Sequence, residues 1–190
     1  MTVRSVVWFK RDLRIDDAAP LATACRQGPV LPLYCIEPEY WAQSYASQRQ
    51  WHWISQALRE LDQSLSARGQ PLWIETGDIV AVLDRLWRED RLTHLWSHAE
   101  TGPDWTYARD RRVANWCRAR GVQWTEIRQD GVIRGLTVRK GWAARWDQTM
   151  GHAQAPTPAL IPASAVPERS AAEQLSHVRL FPDASDCHLQ

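Results

Sequence analysis

Short apolar runs alternate with helical patterns from residue 4 to about residue 127, and this alternation constrains the fold more than any other feature of the chain. The runs are "RSVVWF" (4–9), "PVLPLYCIE" (29–37), "PLWIE" (71–75), "THLWSH" (93–98) and "VQWTEI" (122–127). Each is almost continuously apolar, as strands buried on both faces must be. Between them lie amphipathic or capped stretches. "DDAAPLATACRQG" (16–28) reads as a helix capped by Asp16 or Asp17 and stopped by Gly28. In "SQRQWHWISQALRELDQSLSARG" (47–69), Trp51, Ile54, Leu58, Leu61 and Leu65 recur three and four apart and form one helical stripe that ends at Gly69. "TGDIVAVLDRLWRED" (76–90) opens on Asp78 as a cap, and "DWTYARDRRVANWCRARG" (104–121) stops at Gly121. Strands alternating with helices imply βαβ units. The expected fold is α/β, a Rossmann-like doubly wound five-stranded parallel sheet in the order 3-2-1-4-5 with helices on both faces.

Such sheets bind ligands outside the carboxyl ends of their strands, where the strand order reverses. The segments there are "FKRDLR", "CIEPE" and "SHAETG", so Lys10, Arg11, Cys35, Glu37, His98 and Glu100 are expected to converge on one crevice. No GxGxxG follows the first strand and no GxxxxGK[ST] occurs anywhere, which disfavours a dinucleotide oxidoreductase or a P-loop NTPase. Long cationic arms beside acids suit a flat polar or anionic ligand held by side chains. Asp12 is read as an orienter of Arg11, and Arg109 as able to point back to the crevice. His94 and His98 have no partners at zinc-site spacing, and Ser97–His98 lacks a nucleophile elbow, so neither a metal site nor a triad is assigned.

The net charge of +1 supplies no bulk attraction to nucleic acid or acidic membranes. Cys25, Cys35, Cys117 and Cys187 show no CxxC pairing; the first three sit in apolar settings and read as free buried thiols of a reducing compartment. With no signal peptide and no apolar run long enough to span a membrane, the expected location is cytoplasmic. Tryptophan is abundant, at 12 of 190 residues, and most of it is expected in the core. Trp142, Trp146 and Met150, four apart, suggest a short packing helix. Residues 151–190 hold 5 of the 11 prolines and a net charge of −2, against +3 for the part before. The boundary is therefore placed near residue 151: residues 1–150 form the α/β domain, and residues 151–190 a Pro/Ala-rich linker or tail that orders on contact.

"VVWFKRDLRIDDAAPL" resembles the opening of the photolyase/cryptochrome family, a strand leading into RDLR and an acid-rich helix start. "LPLYCIEPEYW" is similar to the family's second strand, "WSHAETGPDWTYARD" to its strand-four segment, and "DGVIRGLTVRKGWAARW" to the following loop and helix of one bacterial branch. The resemblance covers about residues 3–150. It implies an N-terminal domain able to hold an antenna chromophore (a folate, a deazaflavin or a flavin such as FMN), which passes excitation to FAD in a separate helical domain. Reduced FAD then repairs pyrimidine dimers in DNA, or serves signalling in cryptochromes. Carried over by residue, the cofactor-binding positions are Lys10, Arg11 and Asp12, then Cys35, Ile36 and Glu37, then Arg49, Glu100 and Arg109.

The chain stops at Gln190, where the family's linker enters the helical domain. The resemblance thus implies that FAD, the catalytic lyase chemistry and contact with DNA belong to a C-terminal domain supplied in cis or in trans, and that these 190 residues carry no catalytic residue. The chain would be a fragment, a truncated protein or a stand-alone antenna domain. Two other readings stay open: a Rossmann-like nucleotide-binding hydrolase or adenylating enzyme, and a structural domain that packs on a helical partner.

Overall fold

The computed structural model describes residues 4–90, 92–132, 136–164 and 171–181. Five parallel strands, β1 (Arg4–Phe9), β2 (Val30–Ile36), β3 (Trp73–Thr76), β4 (Leu92–His98) and β5 (Gln123–Ile127), form one sheet in the order β3-β2-β1-β4-β5. The expected fold is therefore the observed one. Between and after the strands run α1 (Ala19–Gln27), α2 (Pro38–Trp41), α3 (Gln48–Ser66), α4 (Ile79–Asp90), α5 (Asp104–Arg120), α6 (Trp142–Met150) and α7 (Ala171–Ser176).

The pleat of β1 divides the core in two. Val7 and Phe9 face the layer of α1 and α3, with Leu21, Leu58, Leu61 and Leu65. Val6 and Trp8 face the layer of α4 and α5, with Leu83, Leu86, Val113 and Trp116. Helices on both faces follow from strands whose alternate residues are all apolar. The α3 stripe behaves as its spacing demands: Leu58, Leu61 and Leu65 are buried, and Trp51 and Ile54 pack half-buried beside them. A capping box opens this helix, with the Gln50 N–H donating to Ser47 Oγ and the Ser47 N–H to Gln50 Oε1.

Two local expectations fail. Neither Asp16 nor Asp17 caps α1, which starts at Ala19 with Pro20 in its first turn. Pro20 lacks the N–H that a cap would satisfy. The two carboxylates instead hold a distant segment: Asp17 Oδ1 accepts the Ala155 N–H at 2.8 Å, and Asp16 Oδ1 accepts the Thr157 hydroxyl at 2.5 Å. The second concerns α6. Of the tryptophans, Trp8, Trp41, Trp96 and Trp116 are buried and Trp51, Trp73, Trp87 and Trp124 pack half-buried on the core, as expected of most, while Trp53, Trp142 and Trp146 are exposed. Helix α6 forms, but none of its residues is buried, and Met150 is exposed with the two tryptophans.

The described residues beyond 151 lie on the domain. Val30 donates to the Pro162 carbonyl at 2.9 Å and bridges Ala163, Ile161 donates to Arg68 O at 2.8 Å, and the Ile161 side chain is buried. Farther on, Gln174 Oε1 accepts the Ile74 N–H at 2.9 Å, so α7 serves a backbone donor that edge strand β3 would otherwise present to water. Ala171 and Leu175 are buried against the same face. Cys187 lies outside the described residues; Cys25, Cys35 and Cys117 are free thiols.

Leu65 is fully buried where α3 meets the sheet. Leu65→Ala is expected to lower the unfolding free energy by roughly 2–5 kcal/mol, through lost transfer energy and the cavity left behind. Urea unfolding followed by circular dichroism measures it.

Candidate functional site

Parallel strands deliver their next residues to one edge. The segments after β1, β2 and β4 meet there, around a guanidinium that arrives from α5. Arg109 is 6% exposed. Its Nη1 donates to Glu37 Oε2 at 2.9 Å, Nε and Nη2 reach Asp110 Oδ1 at 3.1 and 2.9 Å, and Nη2 also donates to Glu100 Oε2. The guanidinium carbon lies 4.7 Å from the Trp8 ring centroid. Burial pulls against the charge, yet Glu37, Glu100 and Asp110 outweigh it and hold Arg109 charged above the ordinary arginine range.

Lys10 is equally sunken. Its Nζ donates to Asp110 Oδ2 at 3.3 Å and to Glu126 Oε1 at 3.0 Å, over the rings of Trp8 and Trp124. Arg11 is half-exposed; its Nε pairs with Glu100 Oε1 at 3.1 Å and its Nη2 donates to the Tyr40 hydroxyl. Asp12 does not orient Arg11. Its carboxylate bonds Nδ1 of buried His98 and accepts the Lys10 N–H at 3.3 Å. The loop beside Glu100 passes close because residue 102 is glycine: a Cβ there would sit 2.5 Å from Thr106 Oγ1 and 3.0 Å from Glu100 Oε1.

A cavity of about 300 Å³ opens over this cluster. Lys10, Arg11, Cys35, Glu37, Glu100 and Arg109 all line it, so six of the expected positions converge. Three do not reach it. Asp12 is spent on His98, Ile36 is fully buried in the core, and Arg49 is exposed on the first turn of α3 next to the lining residue Gln50. His98, expected in the crevice, is absent from its walls. The cavity therefore leans toward β1, β2 and α3 rather than β4. The Asp12–His98 pair and the Lys10 contacts to Asp110 and Glu126 fill the β4 side.

The family model of the DNA photolyases, matched over residues 5–149, fits this arrangement of sheet and edge. The chain belongs to the DNA photolyase family. Among curated relatives, it is 41% identical over 86 residues to cryptochrome-2 of Arabidopsis thaliana, which spans 44% of this chain and 14% of the relative. It is 38% identical over 96 residues to the deoxyribodipyrimidine photo-lyase of Escherichia coli, spanning 47% and 20%. A bacterial class III photolyase from Agrobacterium tumefaciens superposes with a TM-score of 0.76 at 25% identity, covering 98% of this chain and 40% of that one. An archaeal photolyase from Sulfolobus tokodaii, whose structure holds two FAD molecules and implies a novel light-harvesting cofactor, shares the fold with a TM-score of 0.71 at 18% identity, covering 92% of this chain and 41% of that one. The chain thus spans only 14% and 20% of the length of these curated relatives, and corresponds to the N-terminal α/β domain of a photolyase or cryptochrome. Among the described residues no helix is long and apolar enough to cross a membrane.

The sequence reading missed the aromatic walls. Trp8, Tyr40, Trp41 and Trp53 line the cavity, with Trp53 71% exposed. A signal for part of this was present: Gln50, Trp53 and Ile54 lie three and four apart, on the flank of the α3 stripe. Tyr40 and Trp41 belong to α2, a single turn too short for periodicity to register.

Glu37 is the least comfortable acid of the cluster. Burial pushes its carboxyl up to about 7 from 4.5, against the pull of Arg109, and Asp78 and Glu100 add to the rise. Two outcomes follow. Arg109→Ala leaves buried Glu37 with no cation and Glu100 and Asp110 with one each, and is expected to lose about 3–5 kcal/mol of stability, with Arg109→Lys recovering only part because an ammonium lacks the planar fork; urea titration at neutral pH reads both. For Glu37, the folded state binds its proton more tightly than the unfolded chain. Its contribution to stability is therefore complete below pH about 4.5 and is lost as pH rises to about 7. The unfolding free energy of the wild type minus that of Glu37→Gln should fall across this window by about 3 kcal/mol, at 1.36 kcal/mol per unit.

Proposed function

We propose that this chain is the antenna-type domain of a photolyase- or cryptochrome-like flavoprotein and binds a light-harvesting chromophore in the cavity above Arg109. The observation that carries this reading is the cavity itself. It lies at the carboxyl edge of the sheet, has the volume of a single flat ring system, and combines aromatic walls with a few fixed polar groups. Trp53 and Tyr40 offer ring faces for stacking, and Arg11, Glu37 and Glu100 offer hydrogen bonds at the rim. In this reading Lys10, Asp12 and Arg109 position those groups, Cys35 and Ile36 form the wall and its support, and Arg49 stands at the entrance. Folate, deazaflavin and flavin are the chromophore classes to be tested; the light-harvesting cofactor implied for the Sulfolobus tokodaii photolyase supports the class.

Excitation would pass to FAD in a helical domain supplied in cis or in trans, and light-driven repair of DNA or blue-light signalling would be the activity of the whole assembly. The exposed face of α6, with Trp142, Trp146 and Met150, favours such a packing partner.

Purified protein is mixed with FMN, a deazaflavin or a reduced folate and passed through a desalting column. Retention of one of them with a shifted absorption band is expected, and retention of none contradicts the reading. Trp53→Ala should weaken binding about tenfold, since loss of an aromatic stacking surface is worth about 1–3 kcal/mol.

A further inference from the structure

Glu37 stands where two cavities meet. It lines the main one and a second of about 260 Å³ bounded by Pro38, Glu39, Gly77, Asp78 and Trp105. Its side chain is 7% exposed. Oε2 accepts from Arg109 at 2.9 Å, but Oε1 is buried with no hydrogen-bond partner. Such an unpaired buried group is costly, by about 1–3 kcal/mol.

The three carboxylates around Arg109 are not equally served. Glu100 meets two guanidinium groups, those of Arg109 and Arg11. Asp110 meets Arg109 and the Lys10 ammonium. Among the described residues, Glu37 meets Arg109 alone. The other titratable groups around it are Asp78 at the start of α4, Glu100 after β4, Cys35 and Tyr34 on β2, and Glu39 beside the second cavity; Lys10 and Arg11 line the main cavity but pair with Asp110, Glu126 and Glu100 rather than with Glu37. A proton entering this cluster is least costly on the acid with the fewest cations and an empty oxygen.

We propose that Glu37 is the protonated member of the cluster and that its unpaired oxygen donates a hydrogen bond to an acceptor, a carbonyl or ring nitrogen, on the flat ligand of the main cavity. The proposal rests on the chromophore reading and narrows it. A carboxylate at this position would select a ligand N–H; a carboxylic acid selects an acceptor. The terminal torsion of Glu is broad, so a small rotation brings Oε1 to the cavity surface while Arg109 keeps its hold on the group. Burial, which pushes the carboxyl up to about 7, supplies the proton near neutral pH. Binding then weakens as pH rises through that value, because the ligand selects the protonated form.

Riboflavin is the probe: it carries ring carbonyls and no phosphate, and has no group that titrates near neutral pH. Its Kd is measured by fluorescence quenching from about pH 5.5 to about pH 8.5, for the wild type and for Glu37→Gln, whose amide keeps a donor at every pH. The expected result is a wild-type Kd that rises about thirtyfold across this range, the tenfold per pH unit above about 7 that linkage to one proton gives, and a Glu37→Gln Kd that stays flat. Wild-type binding that is flat, or that tightens with pH, overturns the proposal and leaves the chromophore reading intact. Loss of binding in Glu37→Gln at every pH also overturns it, because a carboxylate acceptor is then what the ligand needs. In the ligand-free protein, the carboxyl carbon of Glu37 should titrate by NMR near pH 7; a midpoint below about pH 5 refutes the protonated state whichever ligand is natural. Failure of riboflavin, deazaflavin and folate alike to bind at any pH defeats the chromophore reading, and this proposal with it.

Discussion

A guanidinium withdrawn from water must be surrounded by acceptors, and Arg109 meets that demand with acids from three places in the chain. Glu37 comes from the end of β2, Glu100 from the loop past β4, and Asp110 from the same helix. The desolvation penalty is several kcal/mol per ion and is offset only if every contact is made together. The consequence is geometric. The chain just before α2, the loop at 99–103 and the first half of α5 are fixed to one point, and the cavity is the space left above that point. A second tier builds on it: Arg11 uses the other oxygen of Glu100, and Lys10 uses the other oxygen of Asp110. Of the charges that follow β1, Lys10 and Asp12 are therefore spent in buried contacts, while Arg11 and Arg14 remain partly in solvent.

This network explains how a sheet edge without a glycine-rich loop can still present a site. In a dinucleotide fold, backbone N–H groups approach a phosphate because glycines clear the way. Here the β4 side of the crevice is occupied by Asp12 on His98 and by Lys10 on Asp110 and Glu126. What remains open is the β2 side, roofed by Tyr40, Trp41 and Trp53. An aromatic roof over a polar floor recognises ring faces and ring edges together.

The sheet was legible because its signal is local. Each strand and each of the long helices declares itself within its own residues, as the α3 stripe does, and strand order follows from connection rules. The convergence of Lys10, Arg11, Cys35, Glu37 and Glu100 was legible because topology brings strand ends together; the same rule also put His98 there, which the cavity lacks, and Arg109 arrives from α5 rather than from a strand end. Pairings were not legible. Asp12 chooses His98, 86 residues away, over its neighbour Arg11, and Lys10 chooses Asp110 across 100 residues. No periodicity encodes such choices. The same holds for Asp16 and Asp17, whose position looks like a helix cap and whose partners lie near residue 155.

The distribution of tryptophan joins these observations. Indoles on α3 and α6 occupy similar positions in sequence pattern, yet Trp51 packs on Trp41, while Trp53, Trp142 and Trp146 stay exposed. A helix stripe is buried only as far as the sheet beneath it extends. Helix α3 lies over the sheet, so one flank of it is core and the next residue over, Trp53, becomes a cavity wall. Helix α6 follows the last strand and meets the loop at Gly131, where a Cβ would collide with the Trp146 ring at 2.0 Å and whose carbonyl accepts the Trp142 indole N–H at 3.1 Å. Its apolar residues thus have no layer to cover them among the described residues, whereas Ile161, Ala163, Gln174 and Leu175 lie toward the opposite edge, against β2, β3 and α3. The domain is closed along β3 and open at α6, and those two ends differ because backbone donors of an edge strand demand a partner within the chain while an indole face tolerates water until one arrives.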